Sequence, residues 1–176
     1  MYPAIAANGG GMSVNQYSLV LDLLYPPTSN DFRPIYQTSS TNSNDGDFFV
    51  NGDNAIGISS VYHGTLSPNA WHRVAVTVDL TLPSQRMKKY IDGVMVGTND
   101  LSAGVDGRWS LNDIISGQAT LLFSDEDGEV QPGYVNSIAI LGCVLDPDQV
   151  ASLGGPSADG IFPGIEPPPT ATPTET

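Results

Sequence analysis

The most chemically loaded stretch of the sequence is Ser124-Asp125-Glu126-Asp127-Gly128-Glu129, with four carboxylates in five consecutive positions. Like charges this close repel unless solvent or a cation relieves them. Gly128 permits a sharp turn, and Asp at alternate positions offers the all-oxygen environment that calcium takes, about six to eight ligands at roughly 2.3–2.6 Å. The loop is too short for an EF-hand and lacks its position-12 Glu. A second acidic loop, Asn42-Ser43-Asn44-Asp45-Gly46-Asp47, is available to approach the first. Asp45, Asp47, Asp125 and Asp127 are therefore the candidate calcium ligands. Two solvated acidic turns would look the same in sequence.

A second chemistry needs exposed rings that stack on the apolar face of a pyranose, with polar side chains to bond its hydroxyls. Tyr36, Tyr62, His63, Trp109 and Tyr134 sit in turns or at strand ends, and Arg108 adjoins Trp109. These six are the candidate ligand-binding residues. For Trp109, a plug at the edge of a core fits the sequence as well as a platform does.

The elements that must carry these residues read as strands. In Tyr17 to Tyr25, Tyr17, Leu19, Leu21, Leu23 and Tyr25 share one face, and Ser18, Val20, Asp22 and Leu24 the other. In Trp71 to Asp79, Val74, Val76 and Val78 alternate with Trp71, Arg73, Ala75 and Thr77. Shorter strands are expected at Phe32–Thr38, where Pro34 implies an edge or a bulge, and at 119–123 and 134–141. Asp47–Val50 and Ala55–Ser59 flank Asn51-Gly52-Asp53-Asn54 as a hairpin. Asp92-Gly93 between two strand-like runs predicts a type I′ turn, which needs positive φ at both positions. One short helix is expected after Asp146, with Pro147 at its first position, Gln149 completing a capping box and Gly154-Gly155 ending it. Many short strands and one small helix imply an all-β, two-sheet antiparallel β-sandwich of the jelly-roll kind, spanning residues 1–165.

Composition narrows the partners. Nineteen Asp and Glu face six Lys and Arg, a formal charge of −13, which disfavours nucleic acid and anionic surfaces. Neutral ligands and cations remain. No apolar run is long enough to span a membrane. Residues 166–176, Glu-Pro-Pro-Pro-Thr-Ala-Thr-Pro-Thr-Glu-Thr, hold no large apolar residue and read as a Pro/Thr-rich linker to an appended catalytic or anchoring domain of a secreted protein. The single cysteine, Cys143, lies in an apolar run and is expected to be a buried, inert thiol.

Ala70-Trp71-His72-Arg73-Val74-Ala75-Val76-Thr77-Val78-Asp79, followed by Lys89-Tyr90-Ile91-Asp92-Gly93, resembles the signature of laminin-G-like domains of the concanavalin A-like lectin/glucanase superfamily. Tyr134 to Ile140 and Leu145 to Pro156 are similar to that group as well. The resemblance implies the sandwich fold, makes Trp71 a structural residue covering one end of the core, and allows a calcium site. It leaves function open among sugar binders, adhesion modules and glucanases. Hydrolases of this superfamily use an E-x-D-x-x-E strand with two carboxyl groups on one face, and no such string occurs. His63 and His72 make no convincing Ser–His–Asp set, no zinc-type Cys/His set is present, and Gly9-Gly10-Gly11 opens no phosphate loop. The expectation is a non-catalytic carbohydrate-binding module for a neutral polysaccharide. A protein-interaction or adhesion module is the alternative, and a glycoside hydrolase a more distant one.

Overall fold

A computed structural model describes residues 5–38, 46–111, 119–125 and 128–162. The Pro/Thr-rich segment 166–176 lies outside them. Two five-stranded antiparallel sheets pack face to face. In chain order the strands are β1 (Gln16–Leu24), β2 (Arg33–Gln37), β3 (Phe48–Val50), β4 (Ile56–Ile58), β5 (Val61–His63), β6 (His72–Asp79), β7 (Met87–Ile91), β8 (Val94–Asn99), β9 (Leu121–Leu122) and β10 (Tyr134–Leu141), followed by the helix α1 (Pro147–Leu153). The first sheet runs β10-β1-β6-β7-β8 and the second β5-β4-β3-β2-β9.

Alternation decides what each face meets. Tyr17, Leu19, Leu21 and Leu23 of β1 and Val74, Val76 and Val78 of β6 turn inward and meet Ile35, Tyr36, Phe48, Val50 and Ile56 of the second sheet. The opposite face of the first sheet presents Val20, Ala75 and Tyr90, which pack with Val150 of α1 and with Ile161. Asp146 caps the helix as a full capping box with Gln149, Pro147 opens it, and Gly154, at φ 60°, ends it.

The polar residues on that outer face form a pin. Asp22 and Arg73 are direct partners between β1 and β6. Both are buried, and the guanidinium grips the carboxylate twice, Nε to Oδ1 at 2.7 Å and Nη2 to Oδ2 at 2.8 Å. Arg73 also donates to the carbonyls of Leu153 at 2.5 Å and Gly160 at 3.1 Å, fastening the helix end to the sheet. Asp92 accepts from the Arg73 amide and shares a 2.7 Å bond with His72 Nδ1. The ring takes the tautomer in which Nε2 accepts from the Ser67 amide. Asp92 and Gly93 have φ 51° and 81°, as the turn requires. A Cβ on Gly93 would stand 3.2 Å from the Ala151 carbonyl, so the turn seats against α1.

Several expectations change. Of the edge or bulge that Pro34 implied, the structure shows the bulge: the strand is interior, and the β2–β3 register shifts between Pro34 and Tyr36. Trp71 is 41 % exposed, because its parity places it with Arg73 and Ala75 rather than with the inward valines. Cys143 is exposed, since β10 ends at Leu141 and the chain turns away. Lys89, unremarked in the sequence, shares the inward face with Val76 and Met87. It reaches across the sandwich to the Val61 carbonyl at 2.8 Å.

Two outcomes are expected. Asp22→Ala leaves Arg73 buried without its counter-ion and lowers unfolding stability by about 3–5 kcal/mol, whereas Asp22→Leu combined with Arg73→Met recovers part of that loss in urea titrations. Burial lowers the Lys89 ammonium from 10.5 to about 8. Between those values the unfolded chain holds a proton that the folded chain has released, so stability rises with pH across that window. From about pH 10 upward, Tyr17, Tyr25 and Tyr36, all pushed up by burial, oppose the rise. Lys89→Met abolishes the increase between pH 8 and 9.5 in the same titrations.

Candidate functional site

A cavity of about 210 Å³ opens where one edge of the first sheet faces the second. Tyr25, Arg33 and Pro34 line it from the end of β1 and the start of β2. Phe123 follows β9, Val130, Gln131 and Gly133 come from the approach to β10, and Tyr134 and Val135 begin β10. Tyr134 is 63 % exposed and forms an open aromatic wall. Gly133 passes so close to Tyr25 that a Cβ there would lie 2.7 Å from the ring. The Ser29 hydroxyl donates to the Pro132 carbonyl, which ties two of the loops together.

Arg33 stands behind this opening, 1 % exposed. Its Cζ lies 4.9 Å over the Tyr25 ring. Nη1 donates to Ser29 O at 2.6 Å and Asn54 Oδ1 at 3.0 Å, and Nη2 donates to Asn51 O. Nε has no acceptor among the described residues. Burial lowers the affinity of this guanidinium for its proton, with Tyr25 and Asp31 acting the other way. Burial also raises Tyr25 to about 12, so its phenol is protonated at neutral pH.

Of the candidate ligand-binding residues, Tyr134 alone lines the cavity. Trp109 is 4 % exposed and belongs to the central core. Arg108 lies over its ring at 4.9 Å and donates to Asp47 at 2.7 Å. Of the two readings of Trp109, plug and platform, its burial fits the plug, with Arg108 as its cover. Tyr36 is buried too, its hydroxyl 3.1 Å from that of Tyr17, which donates to the Trp109 carbonyl at 2.8 Å. Tyr62 lies on the outer side of the second sheet, edge to face with Phe32 at 6.2 Å. His63 shares the inward face with Ile56, and its Nδ1 is buried without a partner among the described residues. Burial, then Lys89, lowers its pKa.

The acidic loops do approach each other, since a Cβ on Gly46 would lie 3.7 Å from that of Asp125. Asp47 is nonetheless committed elsewhere. Its Oδ2 accepts from the Thr38 amide and hydroxyl, both at 2.7 Å, and Oδ1 from Arg108. Asp47 is thus a structural anchor and not a free metal ligand. Asp125 fits a cation better. It is 7 % exposed, Oδ1 accepts from the Gly128 and Glu129 amides, and Oδ2 is buried without a donor among the described residues. Asp45 and Asp127 lie outside the described residues. Among those described, no group of three or more His, Cys, Asp and Glu gathers as a metal site.

Arg33, Tyr25, Phe123 and Gln131 carried no signal as a set, because four separated segments bring them together. The only local hint was a basic residue next to the bulge-forming Pro34. Trp109→Ala is expected to cost about 3–5 kcal/mol and a corresponding fall in Tm, with no change in ligand affinity at the cavity. Equal melting temperatures for variant and parent would return Trp109 to the surface.

Solved structures of the same shape are distant in sequence. A Trypanosoma rangeli sialidase matches at TM-score 0.58 with 9 % identity over 80 % of this chain, which spans only 23 % of the sialidase. A native heptameric SAP-like pentraxin from Limulus polyphemus matches at TM-score 0.58 and 16 % identity, covering 86 % of this chain and 72 % of the pentraxin. The carbohydrate-binding module CBM40 of the Ruminococcus gnavus IT-sialidase, bound to α2,3-sialyllactose, matches at TM-score 0.54 and 10 % identity, covering 86 % and 92 %. No curated protein matches the chain in sequence. A family model described as Concanavalin A-like lectin/glucanases superfamily (Laminin_G_3) matches residues 13–151, and with both sheets in place the chain belongs to that superfamily.

Proposed function

We propose that this chain is a non-catalytic carbohydrate-binding module and that the cavity beside Tyr134 is its ligand site. The observation that carries this is an open aromatic wall beside a pocket that holds a buried polar group, the arrangement a sugar ring requires. Among the described residues, the walls bear no Asp, Glu or His. A neighbour of matching length, the CBM40 module, binds a sialylated trisaccharide, which favours the same class of ligand. A volume of about 210 Å³ suits one sugar residue rather than a long stretch of chain, since drug-sized pockets begin near 300 Å³. A net charge of −13 favours a glycan whose backbone is neutral. We assign the protein to the extracellular space, with residues 166–176 joining the module to a catalytic or anchoring domain. Calcium is proposed as a stabiliser, with the unpaired Asp125 oxygen as a ligand and Asp45 and Asp127 as its expected companions.

Adhesion through protein contact is the second reading. It is favoured by the uncharged edge strand β10, where Val135, Ile138 and Ile140 are each partly exposed.

Affinity electrophoresis of the full chain through neutral polysaccharides is expected to show retardation that Tyr134→Ala reduces roughly tenfold without moving Tm. EDTA is expected to lower Tm. Equal retardation of Tyr134→Ala and the parent would remove the cavity from consideration, and migration unaffected by every glycan tested would remove the carbohydrate reading itself.

A further inference from the structure

Four arginines of the described fold are buried or held by short bonds, and they are not treated alike. Arg86, half-buried, donates to the carbonyls of Leu82 and Leu101. Arg73 is matched by Asp22 and Arg108 by Asp47, each at 2.7 Å. Arg33 has no carboxylate within ion-pair distance among the described residues. Its partners are two backbone carbonyls and one side-chain amide oxygen, all neutral, and its Nε is unclaimed. The acid nearest in sequence, Asp31, is exposed, and its Oδ1 is taken by the Phe32 amide. Asp31 attracts the guanidinium without an ion-pair contact, and a buried cation otherwise bounded by dipoles keeps much of its desolvation cost until an anion reaches it. Among the described residues, Arg33 is also the only charged one in the walls of the cavity.

We propose that the cavity takes a sugar bearing a carboxylate, with Arg33 as the counter-charge. This rests on the assignment of the cavity as a carbohydrate site and sharpens it to one ligand class, a single acidic sugar carried on an otherwise neutral glycan. The carboxylate supplies the missing charge and an acceptor for the free guanidinium edge. Hydrogen bonds between ionised partners are roughly twice as strong as neutral ones. Tyr134 and Phe123 supply the apolar surface for the ring. Asp31, Asp125 and Glu129 on the flanking segments, together with the −13 net charge, repel a continuous polyanion and leave an isolated carboxylate as the charge that fits.

The test is a calorimetric or NMR titration of the full chain with glucuronate, its neutral methyl ester, glucose and acetate at fixed ionic strength. Glucuronate is expected to bind at least roughly tenfold more tightly than the ester or glucose, a ratio in keeping with hydrogen bonds to charged groups. Acetate is expected to bind far more weakly than glucuronate. Tyr134→Ala, an exposed position, is expected to weaken glucuronate binding with Tm unchanged. Arg33→Lys, if it folds, is expected to bring acid and ester to similar affinities. Equal affinity for the acid, the ester and glucose overturns the acidic class while leaving a sugar site in place. Acetate matching glucuronate overturns the sugar half, leaving plain carboxylate capture. No binding of any sugar overturns the carbohydrate assignment and this inference together.

Discussion

Asp22 and Arg73 face each other across the two central strands of one sheet, on the side away from the main core, with water excluded from both. Neither charge is tolerable there alone. Together they leave guanidinium protons over, and these reach the carbonyls of Leu153 and Gly160. That single arrangement fixes how the chain after β10 lies on the sheet. It lets Val150 and Ile161 close over Val20, Ala75 and Tyr90, so the first sheet is covered on both faces. The His72–Asp92–Gly93 turn is held from the same strand, because Asp92 bonds to the Arg73 amide while Arg73 bonds to Asp22.

The cavity depends on this frame through one irregularity. Along most of the β1–β10 ladder, Leu19 and Leu21 face Ile140 and Ile138, so even-numbered residues of β10 share the core-facing side. Between Asp22 and Leu23 the register shifts. Ser137 pairs with Asp22, Val135 with Leu23, and Asn136 is the extra residue, its amide donating to the Ser157 carbonyl at 3.0 Å. An inserted residue swaps the faces of a strand. Val135 therefore turns to the core side and Tyr134 ends beside Tyr25 and Arg33. The bulge lies next to the pinned pair, where the register with β6 is unbroken from Gln16 to Leu23.

How much of this was legible follows from the range of the interactions. The faces of β1 and β6, the Asp92-Gly93 turn and the capped helix depend on residues a few positions apart, and the sequence pattern specifies them. The tryptophans show where such reasoning fails. Trp109 stands in a loop, yet the loop folds under Arg108 into the core. Trp71 lies in the strand-like signature, yet its parity directs it outward. Asp47 looked like a metal ligand because its neighbours are acidic, but Arg108, 61 positions away, claims it. The cavity is assembled from four separated segments and a bulge, and no local pattern encodes that.

What the fold does with its carboxylates bears on whether the site binds or breaks bonds. Asp22, Asp47, Asp92 and Asp106 are each held by several donors: Arg73 for the first, Thr38 and Arg108 for the second, His72 and the Arg73 amide for the third, and the Met12 and Ser13 amides with Asn15 for the fourth. Those backbone and side-chain bonds hold the Asp106 carboxyl below its ordinary pKa. A carboxylate so held is a poor proton shuttle. Retaining glycosidases need two carboxyl groups about 5–5.5 Å apart across the scissile bond. The walls around Arg33 offer aromatic rings, an amide and one cation instead. On the proposed reading, such walls would hold a sugar ring against aromatic surface, with the amide and the cation to bond its polar groups.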